Sequence, residues 1–209
     1  METEGWEKIY AKEGEIFSEP LPKIIEASKL FKKRGYTRVL DLGCGTGRHS
    51  IYLAQQGFFV YATDISKTGI EILKKNAKTK NPSNINHKIH DMTQIPYEDN
   101  FFDAIICVLT MGHGLLSDAK KTIDEMFRVL KPQGTVITEF MSIKDKTYGK
   151  GKQIEKNTFI GSMEGEEEIP HHYFTKKEIE RLFSKFSKLK ISATTYFDKI
   201  EAFDVEAIK

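Results

Sequence analysis

The chain has 209 residues, enough for one sizeable α/β domain with its own core and too few for two comfortable ones. Charged residues make up 30% of it, yet the net charge is only +2, a balance that gives no mandate for nucleic acid or a membrane surface. The start, Met1 to Gly5, is acidic with no apolar stretch behind it, and the longest apolar run, Ala104 to Met111, is far short of the roughly 20 residues a membrane span needs. The expectation is therefore a cytoplasmic protein, a monomer or homodimer, with no membrane partner. Cys44 and Cys107 form no C-x-x-C pair, so they read as small buried side chains in a reducing compartment.

Helical and strand patterns alternate from about residue 20 onward, which predicts a parallel sheet covered by helices. Trp6 and Tyr10 share one face of a first helix. A second helix runs from Pro20 to Arg34, with Leu21, Ile24, Ile25 and Ser28 on one side and Gly35 as its stop. The strand Arg38 to Leu42 feeds into a glycine loop, and a helix from Ser50 to Gln56 follows. Phe58 to Thr63 is the second strand, and Ser66 caps a helix that turns Ile70, Leu73 and Ala77 inward. Asn81-Pro82-Ser83-Asn84 is a turn, and Ile85, His87 and Ile89 alternate in a third strand. Phe102 to Thr110 is an apolar fourth strand with both faces covered. Ile123, Met126, Phe127 and Leu130 keep helical spacing, Lys131 to Gly134 stops that helix, and Thr135 to Phe140 is the fifth strand. The stretch Ser142 to Tyr173 is long and polar, a length that in a compact domain is functional or disordered. Thr175 to Glu178 reads as a capping box ahead of the apolar stripe Ile179, Leu182, Phe183 and Phe186. Leu189 to Tyr196 and Phe203 to Ile208 close the sheet as a hairpin.

The chemistry starts at Asp41-Leu42-Gly43-Cys44-Gly45-Thr46-Gly47. Glycines after a strand permit a tight turn and close approach of a ligand to the backbone, and the helix that follows offers unpaired N–H groups. The dinucleotide pattern G-x-G-x-x-G would need a third glycine at position 48, where this chain has Arg48. A carboxylate beside the loop, Asp41, opposes a pyrophosphate and suits a cationic amino group or a sulfonium. Asp64 ends the second strand, where a carboxylate can accept both hydroxyls of a ribose, and Asp91 follows the third, where it can accept from an adenine amino group or simply cap its loop.

With these residues in order the chain resembles the class I methyltransferases, which use S-adenosylmethionine. Val39 to Gly47 is similar to the family's first motif, Asp64 to its acidic residue after the second strand, and Asp91-Met92 to its adenine-contacting pair. Phe102 to Ile106 resembles the fourth strand and Arg128 to Gly134 the approach to the fifth. The resemblance implies a Rossmann-like, mostly parallel seven-stranded sheet with helices on both faces and the last strand antiparallel. It implies one methyltransferase domain over residues 1–209, with 1–19 as an N-terminal helix or lid. It also implies cofactor contacts by Asp41, Gly43, Cys44, Gly45 and Gly47 (methionine half and loop), Asp64 and Ile65 (ribose and adenine), Asp91 and Met92 (adenine), and Leu109 (sulfonium end). Tyr10 either closes over the cofactor or only packs on Trp6.

Methyl transfer from a sulfonium is a direct displacement, so the protein aligns the nucleophile and excludes water, and needs a base only if the nucleophile arrives protonated. His113, between Gly112 and Gly114, is the candidate base, set against a plain loop histidine. His171 and His172 are candidate substrate contacts, set against a structural turn, and His49 supports the glycine loop. The histidines show no H-x-x-x-H pattern, so no metal is expected. Residues 142–173 are the expected substrate lid, with Lys144, Lys146, Lys150 and Lys152 available to attract an anion. No Asn-Pro-Pro-Tyr-like motif follows the fourth strand, which points away from base methylation and toward a small-molecule acceptor. A nicotinamide-dependent oxidoreductase and a non-catalytic cofactor-binding scaffold are the alternatives.

Overall fold

A computed structural model describes residues 4–80, 82, 84–197 and 199–209. The turn expected over Asn81 to Asn84 falls partly outside them, at Asn81 and Ser83. In chain order the elements are α1 (Glu4–Glu13), α2 (Pro22–Lys33), β1 (Arg38–Leu42), α3 (Arg48–Gln55), β2 (Phe59–Asp64), α4 (Lys67–Lys80), β3 (Ile85–Ile89), β4 (Phe102–Cys107), α5 (Leu116–Val129), β5 (Leu130–Met141), β6 (Lys152–Glu155), β7 (Thr158–Ile160), β8 (Pro170–His172), α6 (Lys176–Leu182), β9 (Lys188–Tyr196) and β10 (Ile200–Ile208).

Seven strands form one sheet in the order β3-β2-β1-β4-β5-β10-β9. β1 is parallel to β2 and β4, and β4 is parallel to β5. β10 is antiparallel to both of its neighbours, β5 and β9. This is the expected sheet, with the last strand reversed. Successive residues of the central strands face opposite sides, which divides the core in two. Leu40, Leu42, Ile105 and Cys107 pack with Ile123, Met126, Ile179 and Phe183 on the α5 and α6 side. Val39, Ala104, Ile106 and Val108 pack with Ile24, Phe31 and Leu53 on the α2 and α3 side. No helix among the described residues is long and apolar enough to cross a membrane.

The two caps read from the sequence are made. Ser66 Oγ accepts from Gly69 N at 3.0 Å, and Thr175 and Glu178 exchange the two bonds of a capping box at 3.2 and 2.8 Å. β4 stops at Cys107 rather than Thr110, because the chain leaves the ladder and Leu109 turns to φ 55°. β5 begins at Leu130 rather than Thr135. The expected helix stop at Lys131 to Gly134 is a bulge inside the strand, where Pro132 lacks a donor and Gln133 takes φ 64°.

The largest departure is the polar stretch 142–173. It contains a second, three-stranded antiparallel sheet, β6-β7-β8. Charge hid its small core, in which Tyr148, Phe159 and Tyr173 pack edge to face at 5.3 to 6.0 Å. That sheet is fastened to the loop after β4 by Gly114 N donating to Pro170 O and His172 N donating to Gly112 O, both at 2.8 Å.

Candidate active site

The strand order reverses between β1 and β4, and in such sheets the crevice beyond the carboxyl ends at that point is where ligands bind. A cavity of about 1450 Å³ lies there. Its floor is the glycine loop from β1, its sides are the ends of β2 and β4, and its remaining walls are α1 and the segment leading into β8.

The loop is built for close approach. Gly43 and Gly45 hold φ 73° and 53°, the left-handed region. A Cβ on Gly43 would stand 2.5 Å from Thr110 Oγ1, and one on Gly45 would stand 2.5 Å from the Tyr10 hydroxyl. Asp64 binds the loop to the next helix: its carboxylate accepts from Gly45 N at 2.7 Å and Ser66 N at 2.9 Å. Burial raises the Asp64 pKa against those two bonds. Asp41 is also buried. Its pKa is pushed up to about 7 by burial, resisted by the Ser50 hydroxyl that donates to it at 2.6 Å and by the charge of Arg48.

α1 covers the loop. Glu7 fixes it by accepting from Ser66 Oγ at 2.6 Å, Thr68 Oγ1 at 2.6 Å and Thr68 N at 3.1 Å at the start of α4. Trp6 lies between Tyr10 (5.6 Å between ring centroids) and His113 (4.9 Å); Tyr10 packs on Trp6 and also lines the cavity over Gly45. Across the cavity Lys8 pairs with Glu168 at 2.7 Å.

Of the residues singled out in the sequence, Trp6, Tyr10, Gly43, Cys44, Gly45, His49, Asp64, Ile65, Met92, Leu109 and His113 line the cavity. Asp41, Gly47 and Asp91 stand behind the wall. Asp41 braces α3 through Ser50, and Gly47 is the residue before α3, where a Cβ would collide with Leu73. Asp91 accepts from Thr93 N and Thr93 Oγ1 at 2.8 Å, the loop-cap geometry. His113 is half-buried in the cavity wall, and loss of solvent there pulls its pKa down to about 4, so its ring is neutral at pH 7 and a weak proton acceptor. His171 and His172 are consecutive in β8 and so face opposite ways. His171 meets Glu166, 2.8 Å from Nε2, beside the cavity. His172 turns to Thr158 Oγ1 at 2.6 Å and to the ring of Phe174, away from the cavity lining. His49 also lines the cavity, and it accepts from Leu21 N at 3.3 Å, which ties α3 to the start of α2 rather than to the glycine loop.

Sequence reasoning missed Glu7, Arg48 and Glu166. Arg48 counted only as a missing glycine, yet it lines the cavity with its guanidinium 4.5 Å from the Phe17 ring. Glu166 counted only as part of the polar run Glu166 to Glu168, with no role of its own. The four lysines of the expected lid are exposed and line no part of the cavity. Ile160, Glu164 to Glu168, Ile169 and Pro170 do.

Residues 39–134 match the profile of a family described as a methyltransferase domain. The chain is 27% identical over 158 residues to a tRNA N(3)-cytidine methyltransferase METTL2 of Danio rerio, a match spanning 70% of this chain and 43% of that protein. It is 34% identical over 100 residues to a demethylmenaquinone methyltransferase of Clavibacter sepedonicus, spanning 48% of this chain and 39% of that one. The chain thus spans less than half the length of these relatives. The crystal structure of a SAM-dependent methyltransferase from Methanosarcina mazei superposes with a TM-score of 0.72, at 23% identity, over 91% of this chain and 98% of that one. At that identity the superposition establishes the fold.

Proposed function

We propose that this chain, whose residues 39–134 match a methyltransferase-domain family and whose fold is that of a SAM-dependent methyltransferase, is a class I enzyme of that kind and transfers a methyl group from S-adenosylmethionine to a small-molecule acceptor. The observation that carries the reading is the cavity at the strand ends, with a left-handed glycine loop below, a buried carboxylate at the end of β2 and a helix above. At about 1450 Å³ it exceeds the roughly 300–1,000 Å³ of an ordinary small-ligand pocket, which leaves room for a cofactor and an acceptor together.

The residues fit the cofactor. Gly43 and Gly45 put bare backbone on the cavity wall and let Thr110 and Tyr10 close against it, Asp64 offers a carboxylate, and Ile65 and Met92 offer apolar faces at the adenine end. Asp41, partly ionised at neutral pH, adds negative charge behind the loop, Tyr10 closes over it, and Leu109 with Thr110 borders the transfer position. The bound cofactor would supply a methyl group on a leaving group already activated as a sulfonium. The chain's own work is then alignment and exclusion of water. His113, neutral and facing the cavity, is placed to accept a hydrogen bond from an attacking O–H or N–H and so to orient it.

The lining charge supports the small-molecule acceptor. Glu13, Asp118, Glu164, Glu166, Glu167 and Glu168 stand against Lys8, Lys12 and Arg48. Nucleic acid binding draws on clustered cations that neutralise phosphates, and this wall is mostly of the opposite sign. A tRNA acceptor is the second reading, favoured by the match to a protein with that activity in its name. It requires tRNA binding whose affinity falls steeply with salt.

Calorimetric titration with S-adenosylmethionine and S-adenosylhomocysteine tests the cofactor, and no binding of either would end the proposal. Asp64→Ala is expected to weaken that binding by about tenfold or more, since roughly 1.4 kcal/mol is one decade and the variant loses a buried acceptor. Transfer of radiolabelled methyl to a panel of small hydroxyl, thiol and amine acceptors, and to unmodified tRNA, separates the two acceptor classes.

A further inference from the structure

The loop after β4 runs antiparallel to β8, and the two bonds that join them flank one residue pair, His113 and His171. In that pattern the pair is a directly opposed, non-hydrogen-bonded one, the arrangement that brings facing side chains closest. The two imidazole rings stand 5.2 Å apart at 90°. Glu166, on the segment between β7 and β8, reaches the same place. Its Oε2 lies 2.8 Å from His171 Nε2 and 3.7 Å from His113 Nε2.

One donor atom from each of these three residues lies within 4.8 Å of the others. Ligands bound to a zinc-sized ion at about 2.0–2.2 Å are themselves roughly 3–3.5 Å apart, so small side-chain rotations close the set. The backbone ladder holds both histidines in place beforehand. His113 and Glu166 line the cavity, while His171 is fully buried behind them. The second ring nitrogen of His171, Nδ1, is buried with no hydrogen-bond partner among the described residues, so nothing there commits the ring to a purely structural bond.

We propose that His113, Glu166 and His171 bind one divalent transition-metal cation at the wall of the cavity, with the remaining coordination positions open to an acceptor molecule. Two imidazoles and one carboxylate suit zinc, cobalt(II) or iron(II) rather than magnesium or calcium, which prefer all-oxygen sites. Three protein ligands beside a cavity follow the pattern of reactive rather than closed structural sites. An acceptor hydroxyl or thiol ligated there gives its proton to solvent and stays as the bound anion. Its lone pair then forms the bond to the methyl carbon as the carbon–sulfur pair returns to sulfur. The site goes beyond the methyl-transfer reading and is tested without the cofactor.

Tag-free full-length protein, stripped with a chelator and desalted, is titrated with zinc and with cobalt(II). Calorimetry and the visible bands of cobalt provide two readouts. One cation per chain is expected, with cobalt bands of a nitrogen- and oxygen-ligated ion. Glu166→Gln and His113→Gln should each weaken binding by about tenfold or more, the scale on which metal sites respond to losses around the ion. His87→Gln, an exposed histidine of β3, should leave it unchanged. Glu166→Gln keeps an acceptor for His171 and is the variant that folds if the buried histidine does not tolerate replacement. Absence of stoichiometric binding to the parent chain overturns the proposal, as does equal binding by the parent, Glu166→Gln and His113→Gln. A parallel titration with S-adenosylhomocysteine isolates the outcome: retained nucleoside binding with no cation binding removes the metal site and leaves the methyltransferase proposal standing.

Discussion

Asp41→Asn is a near-isosteric change that tests the electrostatics of the glycine loop. The Asp41 carboxyl is raised from 3.8 to about 7 in the fold, chiefly by burial. In the unfolded chain it ionises near its ordinary value, so between those two pH values the folded state holds a proton that the unfolded state has lost. The contribution is therefore complete at low pH and disappears as pH rises through about 7. A shift of roughly 3 units at about 1.36 kcal/mol per unit sets the loss at ~4 kcal/mol, an upper figure. Asp41→Asn cannot titrate. It should match the parent near pH 4, apart from about 1 kcal/mol for its altered bond to Ser50. Near pH 8 it should be the more stable by up to ~4 kcal/mol. Urea unfolding of both proteins across that range reads the difference, which cancels every other titrating group unless it couples to position 41. The compensating cost is functional: with the anion gone, S-adenosylmethionine affinity should fall by about fivefold, roughly 1 kcal/mol of lost attraction across the loop. Parallel stability curves from pH 4 to 8, together with unchanged affinity, would show that the carboxyl is neither raised nor used.

His49 carries the opposite dependence. Its pKa is pulled down to about 3 by burial and the nearby cations Arg48 and Lys23. Its contribution is thus whole above about pH 6.5 and lost as pH falls toward 3, up to ~5 kcal/mol, and His49→Gln should flatten the acid limb of a urea series. Gly45→Ala places a Cβ at φ 53° and 2.5 Å from the Tyr10 hydroxyl. It should cost about 1–2 kcal/mol in thermal unfolding and weaken S-adenosylhomocysteine binding by pushing α1 off the loop. Lys23→Met leaves Glu139, buried in β5 and paired to that lysine, as a lone interior charge. A loss of about 3–5 kcal/mol is expected, recovered in part by adding Glu139→Leu.

The cofactor end of the site was legible because its determinants are local. Position 43 needs a left-handed residue, position 64 ends a strand, and Ser66 caps the next helix two residues later. Each constraint is met within a few positions of chain, so the residue types announce it. Even there, three residues named from the resemblance stand one layer back. Asp41, Gly47 and Asp91 hold the loop, the start of α3 and the turn after β3, and strand-end placement alone does not separate a side chain that faces a cavity from one that props its wall.

The acceptor end was illegible for the converse reason. His113 lies more than fifty residues before Glu166 and His171 and meets them only because the loop after β4 borrows β8 as a partner strand. Nothing in the spacing of three histidines and a glutamate run signals that pairing. The sheet that makes it possible is short-stranded, polar outside and stabilised by three aromatics, Tyr148, Phe159 and Tyr173, too sparse to register as a periodic pattern. The same topology explains why the lysines of this segment were a false lead. They occupy the part of the segment before β7, whereas the part after β7 reaches the cavity and brings glutamates with it. The glycine-loop wall of the cavity is thus set by the parallel sheet and shared with the fold, while the opposite wall comes from a graft of about thirty residues between β5 and α6 that keeps its lysines outside and turns its glutamates to the cavity.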